Sequence, residues 1–211
     1  MNFKTLKANA RKSLEGKWKN TVLITLIFGV IIGVASTIDN TISSKMFEPT
    51  VINGIEYRQS FSIITILVTA LIGLGFSSYF LRVSRNETPE IEELFSKTSL
   101  FGGYLLLIIL TAIFVSLWTL LLIIPGIIAS ISYSMASLIK LDNQDMKAMD
   151  CIRKSKEMMK GHKWEYFKLM FSFIGWIILG IFTFGILYFW LMPYMMVTEC
   201  NFYNELLKEK K

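Results

Sequence analysis

Three kinds of side chain in this sequence could support acid–base, nucleophilic or metal chemistry. They are the single histidine, His162, the two cysteines, Cys151 and Cys200, and Glu199, the first carboxylate after a long uncharged run. An imidazole acting as a general base needs a reacting proton within hydrogen-bond reach and a group that orients the ring. His162 has no such sequence partner: there is no HExxH, no second histidine and no Gly-x-Ser-x-Gly. It lies in "SKEMMKGHKWEYFKLMFSFIGWIILG", Ser155 to Gly180. The first half of that stretch carries Lys156, Lys160, Lys163 and Lys168, and from Leu169 onward it has no charge. This is a basic segment running into an apolar one, so His162 reads as an interfacial residue beside a chain break at Gly161. The cysteines are far apart, with no CxxC or ligand spacing, which argues against a disulfide or zinc framework. No catalytic residue, cofactor or metal site is expected.

The elements around these residues are set by where charge is missing. The chain is 53% hydrophobic and 18% charged, against roughly 45–50% and about 25% for soluble domains. There is no charge between Lys19 and Asp39, Arg58 and Arg82, Lys97 and Lys140, or Lys168 and Glu199. A helix needs about 20 apolar residues to cross about 30 Å of hydrocarbon. The first two windows hold one span each, and the other two are long enough for two. The expected fold is an all-α, polytopic membrane helical bundle in one domain. Its spans are expected at about 21–38, 61–81, 100–124, 126–139, 164–182 and 186–206. Pro125-Gly126 breaks the longest window, so a tight reversal is expected there. The segment 126–139 is short for a full crossing. Retention of the first span is expected too, because its basic lead and apolar run are longer than those of a signal peptide.

Positive charge sets the expected orientation. With six spans and both ends cytoplasmic, every basic residue except Lys45 and Arg58 falls inside, as cytoplasmic loops require. Merging the third and fourth spans would put the basic run Lys147–Lys163 outside. The 39–60 segment becomes an extracellular loop, where Asn53-Gly54 between β-branched and aromatic residues signals a type I′ hairpin. Both cysteines then lie toward the reducing side.

Two basic stretches look alike: "RKSLEGKW" at Arg11–Trp18 and "RKSKEMMKGHKW" at Arg153–Trp164. Phe3, Leu6, Ala10, Leu14 and Trp18 recur at helical spacing, as do Met149, Ile152 and Met159. Each reads as a basic amphipathic helix at the inner lipid–water interface, over 1–20 and 142–163. Trp18, Arg153, Lys154, Lys156, Lys160, Lys163 and Trp164 are the candidate membrane-interface residues, with anionic lipid headgroups as their partner. Glu90, Glu92 and Glu93, in a third and acidic version of the device, are expected to pair with the two basic helices. Glu199 is the one candidate intramembrane polar site, against the alternative that it faces water or Lys168. Gly29-xxx-Gly33, Gly73-xxx-Ser77 and Gly126, Ser130, Ser134 read as packing stripes, with a partner helix or homodimer as the second reading. Pro193 is expected to kink the last span.

"SKEMMKGHKWEYFKLMFSFIGWIILGIFTFGILYFWLMPYMMVTECNFYNEL" resembles the bacterial membrane-protein family of domain of unknown function 975. The likeness rests on Met159–Trp164, Ser172–Trp176, Phe184–Ile186, Pro193-Tyr194 and Asn201–Tyr203, and on the opening "LKANARKSLEGKW". "LLIIPGIIASISYSMA" is similar to a stretch of other bacterial multi-pass families. The resemblance implies a polytopic protein of a Gram-positive bacterium and carries no assigned reaction. The expectation is a non-enzymatic plasma-membrane protein that works through lipids or partner proteins, with no nucleic-acid role. Envelope stress or antimicrobial-peptide tolerance is the expected setting. The alternative is a transporter for an apolar or peptide-like substrate, with a cavity between Thr111, Ser116 and the Ser130–Ser137 face.

The orientation has a direct check. In a cysteine-free background, Lys147→Cys should resist an impermeant thiol reagent in intact cells while Lys45→Cys reacts. The reverse pattern excludes both termini being cytoplasmic.

Overall fold

The computed structural model describes residues 3–52, 55–57 and 60–209. Asn53-Gly54, the expected hairpin turn, lies outside the described residues. On either side of it, β1 (Thr50–Ile52) and β2 (Ile55–Tyr57) pair antiparallel. The rest is helical: α1 (Phe3–Leu14), α2 (Trp18–Met46), α3 (Ile63–Ser84), α4 (Phe101–Leu121), α5 (Ile123–Tyr133), α6 (Ala136–Asp142), α7 (Ala148–Met158), α8 (Lys163–Phe171), α9 (Ile174–Phe182) and α10 (Tyr188–Glu209). A 3-10 turn, Ile91–Phe95, leads toward α4.

The α3 helix is the central pillar. Its first half leaves Ile63, Ile66, Leu67 and Leu71 exposed. From Ile72 to Leu81 every residue is buried. A helix apolar on all sides has to be surrounded, and α1, α2, α4, α6, α10 and Ile91–Phe95 all pack on this one. Phe28 stacks on Phe76 at 4.1 Å, and Phe76 meets Phe80 edge-on at 4.9 Å. The molecule therefore has two ends. At one, the helices converge on α3; at the other, apolar side chains such as Val30, Val34, Leu117 and Leu120 face outward.

Several boundaries differ from the sequence reading, and the fifth expected span, 164–182, is a pair, α8 and α9, interrupted at Ser172 and Phe173. The helix of the first expected span, α2, runs to Met46, past the expected end at residue 38. Asp39 does not stop it, because its carboxylate accepts hydrogen bonds from the Ile64 and Thr65 amides, 3.0 and 2.8 Å away. These are free donors of the first turn of α3. Between α4 and α5 the chain reverses at Leu122, a single extended residue, rather than at Pro125-Gly126. Pro125 is the third residue of α5, where a helix amide has no partner to lose. Gly126 lets α5 close on α4, because a Cβ there would overlap Thr119. The fourth apolar segment is a pair, α5 and α6, interrupted at Ser134 and Met135. Pro193 lies inside α10 and is buried.

The tightest approach in the core is at Gly75, where a Cβ would overlap the backbone carbonyls of Glu93 and Leu94. Gly75→Ala should lower stability by about 1–3 kcal/mol through overpacking against backbone. Gly33→Ala, with open space around it, should leave stability unchanged. Thermal unfolding in detergent distinguishes the two.

Candidate functional site: a basic membrane-interface surface

Both basic amphipathic helices form, but their apolar faces are not turned to lipid. Leu6, Ala10 and Leu14 of α1 are buried in the protein, as are Cys151, Ile152 and Met158 of α7. Ser155, fully buried, donates to the Ser132 carbonyl at 2.8 Å and holds α7 on α5. The small residues Ala10, Ser13 and Ser155 on these faces are the signal that helices approach them closely. A face made to enter lipid carries large side chains instead.

With its apolar face fixed inward, α7 turns Arg153 and Lys156 outward, and Lys160 in the following turn and Lys163 at the start of α8 join them. Arg153, Lys156, Lys160 and Lys163 line one hollow of about 540 Å³, with Glu157 on the same rim. Lys154 is not part of it. Lys156 and Lys163 also border a second hollow of about 210 Å³, formed by Trp118, Pro125, Ile128, Ala129, Ser132 and Tyr133. A cationic chamber thus opens beside an apolar groove along α4 and α5. Trp164, which directly follows Lys163, is exposed and stacks on Phe167, with the Lys168 ammonium 5.3 Å from its ring.

Trp18 lies elsewhere. With Trp176, Trp190, Tyr194, Arg11 and Glu15 it lines a hollow of about 300 Å³ where α1 meets α9 and α10. There Lys7 donates to the Ser172 carbonyl at 3.2 Å and its ammonium lies 3.9 Å from the centre of the Phe173 ring. Burial, and then the charge of Arg11, lower the Lys7 pKa. The Tyr194 hydroxyl reaches the Lys7 carbonyl at 3.5 Å.

The residues first considered for acid–base chemistry are held in place by neighbours the sequence did not pair with them. His162 has Glu165 at 2.9 Å from Nδ1 and Glu209 at 3.2 Å from Nε2, which ties the turn at Gly161 (φ +91°) to the end of α10. Glu199 accepts a 2.7 Å hydrogen bond from Tyr166 rather than facing Lys168. Cys151 and Cys200 are buried free thiols, and burial raises the Cys151 pKa. Among the described residues, no group of three His, Cys, Asp or Glu side chains is placed to hold a metal ion. The acidic turn does not join the basic helices: Glu93 pairs with Arg82 at 2.9 Å and Lys97 at 3.7 Å. Ser116 and Ser130 face outward, and neither they nor Thr111 line the groove beside α5. Gly29 and Gly33 also face outward, with nothing within 4 Å of a Cβ there, so they do not pack within the chain.

Five helical stretches are long and apolar enough to cross a membrane: Trp18–Met46, Ile63–Ser84, Ile91–Leu121, Ile123–Asp142 and Lys163–Phe182. The sixth expected segment, 186–206, falls in α10, whose polar second half sets it apart from these five. The fold is that of an all-α integral membrane protein. Within that class, the chain belongs to the family described as "Protein of unknown function (DUF975)", whose profile matches residues 1–129 and 119–210. No curated protein and no solved structure matches it.

At the converged end, Arg85 grips Asp142 with two hydrogen bonds, 3.0 and 2.7 Å, and Tyr203 donates to the same carboxylate at 3.1 Å. Tyr203→Phe should cost about 1 kcal/mol, the net worth of one such bond. Asp142→Ala should cost more, because it leaves both Arg85 and Tyr203 without their acceptor. Unfolding midpoints in detergent should fall in that order.

Proposed function

We propose that this protein is a non-enzymatic plasma-membrane protein that holds anionic lipid at its inner face, with both termini cytoplasmic, in a Gram-positive bacterium. The observation that carries this reading is the pairing of the Arg153, Lys156, Lys160 and Lys163 chamber with the Trp118–Ile128 groove. A phosphate suits the chamber, and an acyl chain suits the groove. Lys156 and Lys163 border both, where the ester region of a lipid would lie. Each cation near an anionic headgroup contributes about 1 kcal/mol. Glu157 offsets one of the four and Asp150 pairs with Arg153 at 3.6 Å, and salt screening over about 8 Å keeps the attraction local. Because α7 is packed against α5, its backbone is already placed, and binding has to order only the exposed Lys and Arg side chains. Envelope stress or antimicrobial-peptide tolerance is the proposed setting, since both depend on the arrangement of anionic lipid.

The alternative is that these lysines only orient the chain in the membrane. The test compares single neutral variants of the full-length protein, each losing one charge. Native mass spectrometry from detergent reads the fraction that retains phosphatidylglycerol over phosphatidylcholine. Lys160→Gln should weaken retention about fivefold, as expected for about 1 kcal/mol, and Lys154→Gln should change it little. Equal effects of the two variants, or equal retention of the two lipids, would overturn the proposal.

A further inference from the structure

We infer that the α9–α10 hairpin enters only one leaflet of the bilayer, its Phe182–Ile186 tip ending among acyl-chain ends at mid-depth instead of crossing. The inference rests on reading α1 as a helix of the membrane surface; it does not depend on lipid binding by the α7 chamber. α8 and α9 together, Lys163–Phe182, are 20 residues long, or about 30 Å of helix, enough for one crossing. Their midpoint, however, is bound to α1. Lys7 donates to the Ser172 carbonyl and lies on the Phe173 ring. A full crossing by α8 and α9 would therefore place Lys7 at the bilayer centre, together with the exposed Lys4, Arg11 and Lys12 of the same helix. A charged side chain at that depth is costly, and several on one short helix more so; the hollow that Arg11 borders offers one acidic side chain, Glu15, amid Trp18, Trp176, Leu187, Trp190 and Leu191.

Moving α1 to the headgroups removes the conflict and fixes the reach of the hairpin. From Ser172 upward only α9 remains, nine residues, or about 14 Å at 1.5 Å each. The returning arm agrees. Tyr194 contacts the Lys7 carbonyl and lies 5.5 Å beneath the Arg11 guanidinium, and the helix between Tyr188 and Tyr194 covers about 9 Å. Both arms stop near the middle of a hydrocarbon layer about 30 Å thick. The tip has the chemistry of that depth. Phe182 and Phe184 are 77% and 97% exposed, Ile181 and Ile186 are also bare, and no charged residue lies between Lys168 and Glu199. Its one hydroxyl, on Thr183, donates to the Gly180 carbonyl and accepts from the Leu187 amide. The turn is closed by Phe184 and Gly185 at positive φ, with the Gly185 amide bonded to the Gly180 carbonyl at 3.0 Å. The α2–α3 hairpin is different. Its far end carries Asp39, Lys45, Glu48 and a β-ribbon with Glu56, which suits water. A hairpin that enters and leaves on one side keeps both ends of the chain on that side, so the charge-based orientation is unaffected.

The test places a nitroxide-sensitive fluorophore at single cysteines in the full-length chain with Cys151 and Cys200 replaced by alanine. The sites are Phe184→Cys, Ile181→Cys, Val34→Cys in mid-α2, Met46→Cys at its far end and Lys12→Cys on α1. The protein is reconstituted in vesicles of phosphatidylglycerol and phosphatidylcholine with a nitroxide on the headgroup or deep on the acyl chain. Phe184 should lose more fluorescence to the chain-end nitroxide than to the headgroup nitroxide, as Val34 does, while Met46 and Lys12 show the opposite preference. Headgroup-type quenching at Phe184, or its modification by an impermeant thiol reagent added on the Met46 side, would overturn the inference. Ile181 repeats the reading one turn lower, should the Phe184 variant fold poorly. Chain-end quenching at Lys12 would instead refute the surface placement of α1 on which the inference rests.

Discussion

A polar or charged group packed among apolar helices is costly unless it is paired, and most such groups here have a partner inside the protein, Thr65 Oγ1 and Asn201 Nδ2 being the exceptions among the described residues. That constraint orders the structure. Asp39 caps α3. Glu93 is held by Ser78, Arg82 and Lys97, and Arg85 and Tyr203 share Asp142. Serine and threonine hydroxyls along the helices, such as Thr25, Thr119 and Ser132, return to carbonyls one turn back. Almost all the charged pairing gathers at the end where the helices converge, and the other end keeps the apolar surface.

Convergence has a consequence for the basic helices. α1 and α7 are amphipathic, yet the apolar face of each is already used by the protein core. The backbone that carries their cations is thereby positioned by packing and not by lipid, while the exposed Arg and Lys side chains keep their freedom. The adjoining groove along α4 and α5 gives the α7 chamber an apolar continuation.

Much of this was legible in the sequence. Gaps between charges located the apolar helices, and the 3.6-residue spacing of Leu6, Ala10 and Leu14 located a surface helix. What could not be read were pairings between distant residues. Nothing near Asp39 in the chain indicates that it caps α3. His162 and Glu209 are far apart in sequence, as are Tyr166 and Glu199. Pro125 misled for a physical reason: proline breaks a helix in its interior but is accommodated in the first turn, so it marks the reversal only to within a few residues. Charge counting also gives parity and not depth. A full crossing pair and a half-depth hairpin leave the chain on the same side, and only the contact of Lys7 with Ser172 separates them.

On the proposed placement the bilayer surrounds the splayed half of the molecule and meets it at α1 and the α7 chamber, and α3 crosses to end beside α1, where Ser13 bonds Asn86 and Lys17 bonds the Glu87 carbonyl. A cryo-EM map of the protein in a lipid nanodisc, read for the position of the headgroup layers along the helices, tests it most directly. One headgroup layer should lie level with Lys7, Ser172, Lys156 and Lys163, near the end of α3 at Asn86. A lipid slab centred on Ser172 would overturn this placement.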